Sequence, residues 1–485
     1  MEIIITLLYL LCLTYLFAFS IGQLHLTWNY LQLRKRKLND EPVLEEFPNI
    51  TIQLPVYNEK YVVERLLDAI SKFDYPKEKL EIQILDDSID ETTEIILKKL
   101  ETLRPLCLDI KLIHRESREG FKAGALDHGF QLAKGEYIAI FDADFIPTPD
   151  FLKKTIPYFT NKKVGVVQTR WAHINKNYSL LTKLQAFGLD AHFSIEQSAR
   201  NYAGSFINFN GTCGVWRKSC IADAGGWSND TLTEDLDLSY RAQLKGWHFH
   251  YLEEVETKGE LPVIMSAIKS QQYRWNKGAA ETARKNFVKV LRSHMPFKNK
   301  AHAFFHLFNS SVFTCLLIAA LLSVPMLFIK HNHPTIAWIF NLGIIFLAGF
   351  LSITLFYWVA TKRFHPFNHK KIFWSLYPSF LIVSMGLSLH NGLAVLEGLV
   401  GRKTPFIRTP KFNIISNTDT WKNNSYIKSN FNWLTFGEGL LCLYFIFGIA
   451  TGIYLKDIGL LIFHSMLALG FGSVFYFSLR PSWNG

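Results

Sequence analysis

The chain has 485 residues, more than one ordinary domain needs, and length alone allows about three domains. Aromatic residues make up 15% of it and its mean hydropathy is +0.10, which disfavours a wholly soluble protein. The net charge of +11 would suit nucleic acid, anionic lipid or an anionic substrate. The basic residues, however, cluster beside apolar runs, which is the positive-inside pattern of membrane proteins rather than a DNA-binding face.

The first predicted element is a transmembrane helix over residues 3–22, an apolar run long enough to cross a bilayer. Glu2 precedes this run and the basic residues 34–37 follow it, whereas a signal peptide carries its positive charges before its apolar core. We therefore expect residues 1–40 to form an uncleaved anchor and its basic cytosolic flank, with the N-terminus outside.

Residues 45–260 alternate short β-rich runs with helical stretches and contain no further apolar run of that length. This alternation predicts an α/β fold with a mostly parallel sheet covered on both faces. Ligands of such sheets bind beyond the carboxyl ends of the strands, where two acidic pairs fall. The predicted strands cover residues 49–57, 80–86, 109–114, 136–142 and 164–171.

The pair Asp142 and Asp144 follows the apolar run 137–141. Two carboxylates, or one and a water, can hold Mg²⁺ or Mn²⁺ whose other ligands are diphosphate oxygens. Such a metal neutralises the charge that grows on a leaving nucleotide. A pair of solvated turn acids is the alternative explanation for a D-x-D string.

The pair Asp86 and Asp87 ends the predicted strand 80–86. Its carboxylates could accept hydrogen bonds from the base or the ribose of a nucleotide. They could equally form an Asx turn that caps a helix beginning near Glu91. The pair taken alone leaves both explanations open.

Thr233, Glu234 and Asp235 open a predicted helix, because apolar residues follow them at helical spacing. A simple N-cap would explain one polar residue here, but Glu234, Asp235 and Asp237 are more acids than a cap needs. A carboxylate beside a metal-bound diphosphate can take the proton from an attacking sugar hydroxyl. The spacing does not say which acid does so.

Gln271, Arg274 and Trp275 form a Q-x-x-R-W string near the end of an amphipathic stretch, residues 263–275. Arg274 could pair with a diphosphate through its forked guanidinium, and Trp275 offers a flat face for a sugar ring. An interfacial helix with an aromatic belt and a snorkelling arginine explains the same residues. Taken alone, the string favours the interfacial helix.

The C-terminal part is predicted to be largely membrane-embedded. One hairpin is expected over residues 306–329 and 336–360 and a second over 437–455 and 457–478. Residues 373–400 are apolar but carry several polar side chains, and basic clusters flank both ends. We predict that this stretch is re-entrant or interfacial, which leaves five spans and a cytosolic C-terminus. A sixth span is the alternative.

Together these strings resemble the processive family 2 glycosyltransferases of the cellulose synthase superfamily, and most closely the plant cellulose-synthase-like A and C groups. The resemblance spans about residues 50–412. Phe406, Thr409 and Lys411 match the cytosolic gating loop F-x-V-T-x-K, with Arg408 in place of the valine. The other matching strings are Leu85–Ser88, Gly120–Leu126, Phe141–Phe145, Phe209–Thr212, Gly214–Arg217 and Ala224–Trp227.

The resemblance implies a GT-A type catalytic domain over residues 41–292, which ends in the interfacial helix, and a transmembrane channel region over 293–485 with a gating loop at 401–412. It implies that Asp235 is the general base and that Asp142 and Asp144 hold Mg²⁺ or Mn²⁺. The residues expected to bind substrate are Asp86, Asp87, Lys122, Glu234, Gln271, Arg274, Trp275, Phe406, Thr409 and Lys411.

The implied activity is that of an inverting hexosyltransferase that polymerises a β-linked glucan or mannan and extrudes it through its own membrane region. Its expected partners are UDP-glucose or GDP-mannose, the growing polysaccharide and the lipid bilayer, without nucleic acid. The catalytic domain is expected to face the cytosol, at a bacterial inner membrane or a eukaryotic Golgi membrane. Asn210-Gly211-Thr212 replaces the Cys-Gly-Ser acceptor string of cellulose synthases, which leaves sugar and linkage open.

Two other functions are alternatives to this one. A non-processive glycolipid synthase, which moves one hexose onto a lipid, would use similar acids, but the Q-x-x-R-W string and the gating-loop match favour a polymer. A membrane channel or sensor with an inactive nucleotide-binding domain would be indicated by the loss of an acid. Every expected acid is present.

Overall fold

The structure is a computed structural model. It describes residues 1–36, 42–44, 46–333, 343–416, 418–421, 424–426 and 432–479. Seven strands form one sheet: β1 (Ile50–Val56), β2 (Leu80–Asp86), β3 (Asp109–His114), β4 (Tyr137–Ile140), β5 (Val164–His173), β6 (Gly214–Arg217) and β7 (His248–Gly259). Their order is β3-β2-β1-β4-β6-β5-β7. All neighbours are parallel except β6, which runs antiparallel to both β4 and β5.

Apolar side chains cover the sheet on both faces, because successive residues of a strand point to opposite sides. In β4, Tyr137 and Ala139 join one buried apolar cluster, whereas Ile138 and Ile140 join another. The first cluster contains residues of helices Val63–Ile70, Thr92–Leu103 and Phe151–Thr155. The second contains residues of helices Phe121–Leu132, Lys218–Asp223 and Glu234–Leu244. The predicted α/β class and its mostly parallel sheet are confirmed.

The five predicted strands are all present, and two further strands, β6 and β7, were not predicted. β6 has only four residues and is followed directly by helix Lys218–Asp223. β7 carries the charged residues Glu253, Glu254 and Glu256. Its pairing with β5 also shifts register, because the consecutive residues Thr169 and Arg170 pair with Leu252 and Glu256, which are four positions apart. The residues that loop out form a bulge, and such a strand lacks the apolar alternation by which strands are predicted.

Four helices of the described residues are long and apolar enough to cross a membrane: Glu2–Leu33, Ser311–Asn332, Trp433–Tyr454 and Leu461–Leu479. Helix Gly343–Phe364 covers most of the predicted span 336–360, whose residues 336–342 lie outside the described residues. Helices His369–Gly386 and Ser388–Val400, here called the bent pair, cover 373–400 and meet at an angle of 50°. This break fits a re-entrant segment or a kinked span.

The remaining helices connect the sheet to the apolar helices. They are Leu180–Ala191 and Gln197–Tyr202, joined by a π-helical turn at His192–Glu196, then Met265–Arg292 and Phe297–Leu307. We call Met265–Arg292 the interfacial helix. Gly398 of the bent pair packs so closely on it that a Cβ would stand 2.6 Å from the carbonyl oxygen of Lys277.

The bulge of β7 attaches the sheet to two apolar helices. Glu253 is 8% exposed, and its Oε1 accepts hydrogen bonds from the Tyr30 hydroxyl at 2.8 Å and from Arg363 Nε at 2.9 Å. Tyr30 belongs to helix Glu2–Leu33 and Arg363 to helix Gly343–Phe364. Buried charges of this kind need their partners, so the bulge fixes how the sheet sits on the apolar helices.

Candidate active site

A cleft opens at the carboxyl ends of β1, β2, β4 and β5, where the parallel part of the sheet predicts a ligand site. The first turn of helix Glu234–Leu244, the interfacial helix and residues 406–411 close its other sides. All but one of the predicted site residues line this cleft, namely Asp87, Lys122, Asp142, Asp144, Glu234, Asp235, Gln271, Arg274, Trp275, Phe406, Thr409 and Lys411.

Asp86 is the predicted site residue that does not line the cleft. Its carboxylate is buried and accepts hydrogen bonds from the backbone N–H of Ser88 at 3.0 Å and from Thr93 Oγ1 at 2.6 Å. The bond to the residue two positions on is an Asx turn. For Asp86 the structure therefore supports the turn rather than nucleotide contact.

Asp87, one residue further on, does face the cleft. Arg115 holds its carboxylate through two hydrogen bonds, from Nε at 2.7 Å and from Nη2 at 2.5 Å. Beside this pair, the Arg118 guanidinium lies 3.3 Å from the centre of the Tyr57 ring. The fork-shaped pairing and the stacked guanidinium form a rigid, flat, partly charged wall, which suits a planar heterocycle.

Each carboxylate of the D-x-D pair is held by a lysine. Lys122 Nζ lies 2.6 Å from Asp142 Oδ1 and also donates to the carbonyl oxygen of Gly211 at 2.9 Å. Lys411 Nζ lies 2.7 Å from Asp144 Oδ2. Burial alone would lower the pKa of Lys122, but the Asp142 and Glu234 carboxylates raise it, so this ammonium group stays charged.

The chemistry of this donor set fits a divalent cation. Hard cations prefer carboxylate oxygens and complete their shell with phosphate and water. Among the described residues, no group of three or more His, Cys, Asp and Glu side chains could hold a metal alone. Asp142 and Asp144 therefore suit a cation that arrives with its own phosphate oxygens.

Glu234 and Asp235 lie in the first turn of helix Glu234–Leu244. Burial, followed by the neighbouring Glu234 carboxylate, raises the pKa of Asp235 to about 7. Burial also raises the pKa of Glu234. Asp235 Oδ1 accepts a hydrogen bond from the backbone N–H of Leu236 at 2.8 Å, which leaves Oδ2 on the side of Gly211. A carboxylate with a pKa near neutrality is suited to taking a proton.

The Q-x-x-R-W string lies on the interfacial helix, and its arginine and tryptophan face the cleft. Arg274 Nη2 donates to Thr409 Oγ1 at 3.0 Å, and its guanidinium lies 4.7 Å from the centre of the Phe406 ring. The Trp275 ring centre is 6.4 Å from that of Trp171, at an angle of 51°. These two rings form an aromatic corner beside the acids.

Residues 404–412 cross the cleft and are fixed at both ends. Buried Lys277 donates to Thr404 Oγ1 at 2.7 Å, and the Phe412 backbone N–H donates to Glu260 Oε1 at 2.8 Å. Between these anchors, Arg408 pairs with Glu59 through Nε at 2.9 Å and through Nη2. Burial raises the pKa of Glu59 to about 6 even beside Arg408.

Several residues of the cleft wall were not predicted from the sequence. Tyr57 and Glu59 follow β1 directly, so the rule that located the acids after β2 and β4 would also have found them. Trp171 ends the predicted strand 164–171, so the same rule would have found it, whereas Arg118 gave no comparable signal in the sequence. Arg408 was seen only as a departure from the gating-loop pattern, and its partner Glu59 lies far from it in the chain.

The sequence is similar to known proteins over most of its length. A sequence model described as "Glycosyltransferase like family 2" matches residues 48–278. Glucomannan 4-beta-mannosyltransferase 1 of Oryza sativa subsp. japonica is 36% identical over 392 residues, which cover 77% of this chain and 71% of the relative. Glucomannan 4-beta-mannosyltransferase 9 of Arabidopsis thaliana is 33% identical over 398 residues, 79% of this chain and 71% of the relative.

The fold is similar to that of a solved enzyme. The mannosyltransferase PcManGT from Pyrobaculum calidifontis, in complex with GDP-Man and Mn²⁺, superposes with a TM-score of 0.56 at 20% sequence identity. The likeness covers 82% of this chain and 100% of that chain. At this identity it bears on the fold alone, and it agrees with the predicted GT-A class.

Proposed function

Because the chain belongs to the family 2 glycosyltransferases of the cellulose synthase superfamily, we propose that it transfers mannose from GDP-mannose to the end of a growing β-1,4-linked chain. The substrate part of this proposal is supported by the relatives, which are named as glucomannan 4-beta-mannosyltransferases. The reaction class is that of a nucleotide-sugar-dependent hexosyltransferase.

The observation that carries the proposal is the convergence of separate elements on one cleft. Asp142 and Asp144 follow β4, Asp235 opens a helix, Arg274 comes from the interfacial helix and Lys411 from the loop 401–412. A polymerising transferase needs a base, a site for a diphosphate and a platform for a sugar next to each other. This cleft has candidates for all three.

In the proposed reaction, Asp235 accepts the proton of the acceptor hydroxyl as that oxygen attacks the anomeric carbon. The bond from the anomeric carbon to the diphosphate breaks on the opposite side, which converts an α-linked donor into a β-glycoside. The diphosphate leaves with the electron pair, facing the cations of Arg274, Lys122 and Lys411. Held by Asp142 and Asp144, Mg²⁺ or Mn²⁺ would supply further charge neutralisation there.

We also propose that the cleft faces the cytosol and that the product leaves through the apolar helices. The basic residues that border these helices support this orientation. The bent pair contacts the interfacial helix near the cleft, because Asn391 Nδ2 donates to Gln272 Oε1 at 2.7 Å, three residues before Trp275. The apolar helices make the enzyme a candidate integral membrane protein by length and composition.

The proposal is tested with membranes that contain the enzyme, incubated with radiolabelled GDP-mannose or UDP-glucose. The expected product is an insoluble or ethanol-precipitable chain, formed from GDP-mannose and degraded by a β-1,4-mannanase. Membranes with Asp235→Asn give the background. Label that appears in the lipid-soluble fraction, with none in polymer, would contradict a polymerase and favour glycolipid synthesis.

A further inference from the structure

The loop 401–412 is tied to the wall of the cleft by a largely buried ion pair. Arg408 comes from the loop, and Glu59 from the turn that follows β1. Their side chains are only 14% and 12% exposed. The guanidinium donates to one carboxylate oxygen from Nε at 2.9 Å and to the other from Nη2. A two-pronged pair with little water around it is stronger than an ion pair at the surface.

A tyrosine packs on the guanidinium of this pair. The centre of the Tyr426 ring lies 4.8 Å from the Arg408 guanidinium carbon, a distance at which the ring face attracts a cation. The Tyr426 hydroxyl is hydrogen-bonded to Asp90, and its ring meets that of Tyr61 edge-on at 5.5 Å. Tyr426 is therefore fixed against the same wall, and its ring keeps water away from one side of the pair.

Two other contacts of the loop use groups that the proposed reaction needs. Thr409 Oγ1 accepts a hydrogen bond from Arg274 at 3.0 Å, and Lys411 Nζ lies 2.7 Å from Asp144 Oδ2. Both contacts would change when a diphosphate pairs with Arg274 and a cation binds Asp144. The ion pair of Arg408 and Glu59 involves neither of these groups, so it can hold the loop with or without a nucleotide.

This ion pair is a departure from the pattern that the loop otherwise matches. Arg408 stands where the gating-loop pattern F-x-V-T-x-K has a valine. A valine side chain has no charge and no hydrogen-bond donor, so a loop with the unaltered pattern cannot pair with a carboxylate from this position. The chain thus has an anchor for its loop that the pattern itself lacks.

We propose that Arg408 and Glu59 form a latch that keeps the loop 401–412 docked in the cleft in the absence of nucleotide. The docked loop holds Thr409 against Arg274 and Lys411 beside Asp144, so the cations of the cleft are in place before a substrate arrives. Groups that are ordered in advance lose less freedom on binding, which raises affinity. Arg408 and Glu59 are therefore positioning residues. The latch is independent of the substrate, and only its effect on affinity rests on the proposed function.

Docking of the loop is measured without substrate, by the reactivity of Thr409→Cys toward a water-soluble maleimide in detergent-solubilised enzyme. Thr409 is 2% exposed, so the reagent reaches this position only when the loop leaves the cleft. The enzyme also carries Cys107→Ser, because Cys107 is exposed, and Cys107→Ser alone gives the background. Glu59→Gln and Arg408→Gln are each expected to speed labelling about 10-fold, since each removes a charge-assisted interaction.

The double variant shows whether the two residues act as a pair. Glu59→Gln combined with Arg408→Gln is expected to label no faster than either single variant, because one interaction can be lost only once. Glu91→Gln is the matched control, since it breaks the nearby ion pair of Lys60 and Glu91 at 2.9 Å, which does not include the loop. It is expected to leave labelling slow. Unchanged labelling in the Glu59 and Arg408 variants, or effects that multiply in the double variant, would overturn the latch.

The effect on substrate binding is measured with GDP-mannose in enzyme-containing membranes. Glu59→Gln is expected to raise KM for GDP-mannose about 5-fold and to leave kcat within about 2-fold, because the nucleotide then has to hold the loop down itself. An unchanged KM would refute the positioning role. A lower KM would mean that Glu59 withholds Arg408 from the diphosphate, which also contradicts that role. If the wild type transfers no mannose, the proposed function fails, whereas the labelling experiment still decides whether the latch exists.

Discussion

Lys411 Nζ lies 2.7 Å from Asp144 Oδ2, so a cation on the loop 401–412 neutralises one of the two carboxylates that suit a metal. Lys122 does the same for Asp142 at 2.6 Å. A divalent cation bound by both carboxylates would displace these two ammonium groups. Lys122 and Lys411 would then be free to pair with a diphosphate bound to that cation.

The first prediction concerns this exchange. Lys411→Met removes the competitor for Asp144 and is expected to raise the affinity for Mn²⁺ in the absence of nucleotide by roughly 10-fold, equivalent to about 1.4 kcal/mol. Titration of free Mn²⁺ by electron paramagnetic resonance measures this. Lys403→Met, an exposed lysine of the same loop, is the control. An unchanged Mn²⁺ affinity in Lys411→Met would refute the exchange.

Asp142→Asn and Asp144→Asn are each expected to abolish detectable mannosyl transfer, because a hard cation site loses one of its charges. EDTA is expected to stop the wild-type enzyme, and added Mg²⁺ or Mn²⁺ to restore it. Asp150→Asn, an acid of the following turn, is expected to retain activity. Normal transfer by either variant in EDTA-treated membranes would contradict a metal site at this pair.

The pKa of Asp235, raised to about 7, predicts an unusual pH profile. Asp235, the proposed base, can take a proton only as a carboxylate, so kcat/KM is expected to rise with pH through about 7 rather than near the ordinary range of an aspartate. Asp235→Asn is expected to bind the nucleotide sugar but to lose about 10²–10⁴-fold in turnover. A matching loss of nucleotide affinity would make Asp235 a donor ligand instead of the base.

The raised pKa of Asp235 also predicts that folding stability falls with rising pH, whereas activity rises. Below the ordinary aspartate pKa, both the folded and the unfolded chain carry a protonated Asp235. As the pH rises from there to about 7, only the unfolded chain ionises, so the wild type loses stability, and the loss is complete above pH 7. Asp235→Asn is therefore expected to raise the Tm of the detergent-solubilised enzyme at pH 8 but not at pH 4. An equal effect at both values would mean that ionisation is not its cause.

Gly211→Ala tests how closely Gly211, in the wall of the cleft, approaches Asp235, the proposed base. Gly211 has φ +78°, and an added Cβ would stand 3.0 Å from Asp235 Oδ2, so Asp235 has to move. We expect turnover to fall about 100-fold, because small displacements of catalytic groups are this costly. Gly204→Ala is the control, since φ is +67° there but nothing lies within 4 Å of an added Cβ. Similar losses in both variants would point to backbone strain alone.

The orientation of the bent pair remains a prediction and can be tested by labelling. If it does not cross the bilayer, Lys403 is cytosolic, like Asp235. A cysteine at 403 in an otherwise cysteine-free enzyme is then expected to react with a membrane-impermeant reagent only after the cells are permeabilised. A cysteine at His333 is expected to react in intact cells. Labelling of position 403 in intact cells would show that the bent pair crosses the membrane.

The acids of the cleft were predictable because the carboxyl ends of parallel strands share one edge. The choice between Asp86 and Asp87 was not, because consecutive residues at a strand end point to opposite sides. Only the packing of the sheet decides that Asp87 faces the cleft while Asp86 faces Thr93. The pair formed by Glu59 and Arg408 depends on a fold that brings together distant parts of the chain, and no local pattern carries that information.

The attachment of β7 to the apolar helices bears on protein production. Glu253 holds its buried charge in place with Tyr30 and Arg363 from two different apolar helices. If the sheet were expressed without these two helices, Glu253 would keep the hydrogen bond that Ser198 Oγ donates to its Oε2 at 2.9 Å and would face water in place of Tyr30 and Arg363. An isolated soluble part would therefore lose the contacts that fix the bulge of β7, and replacing exposed apolar side chains alone would not restore them.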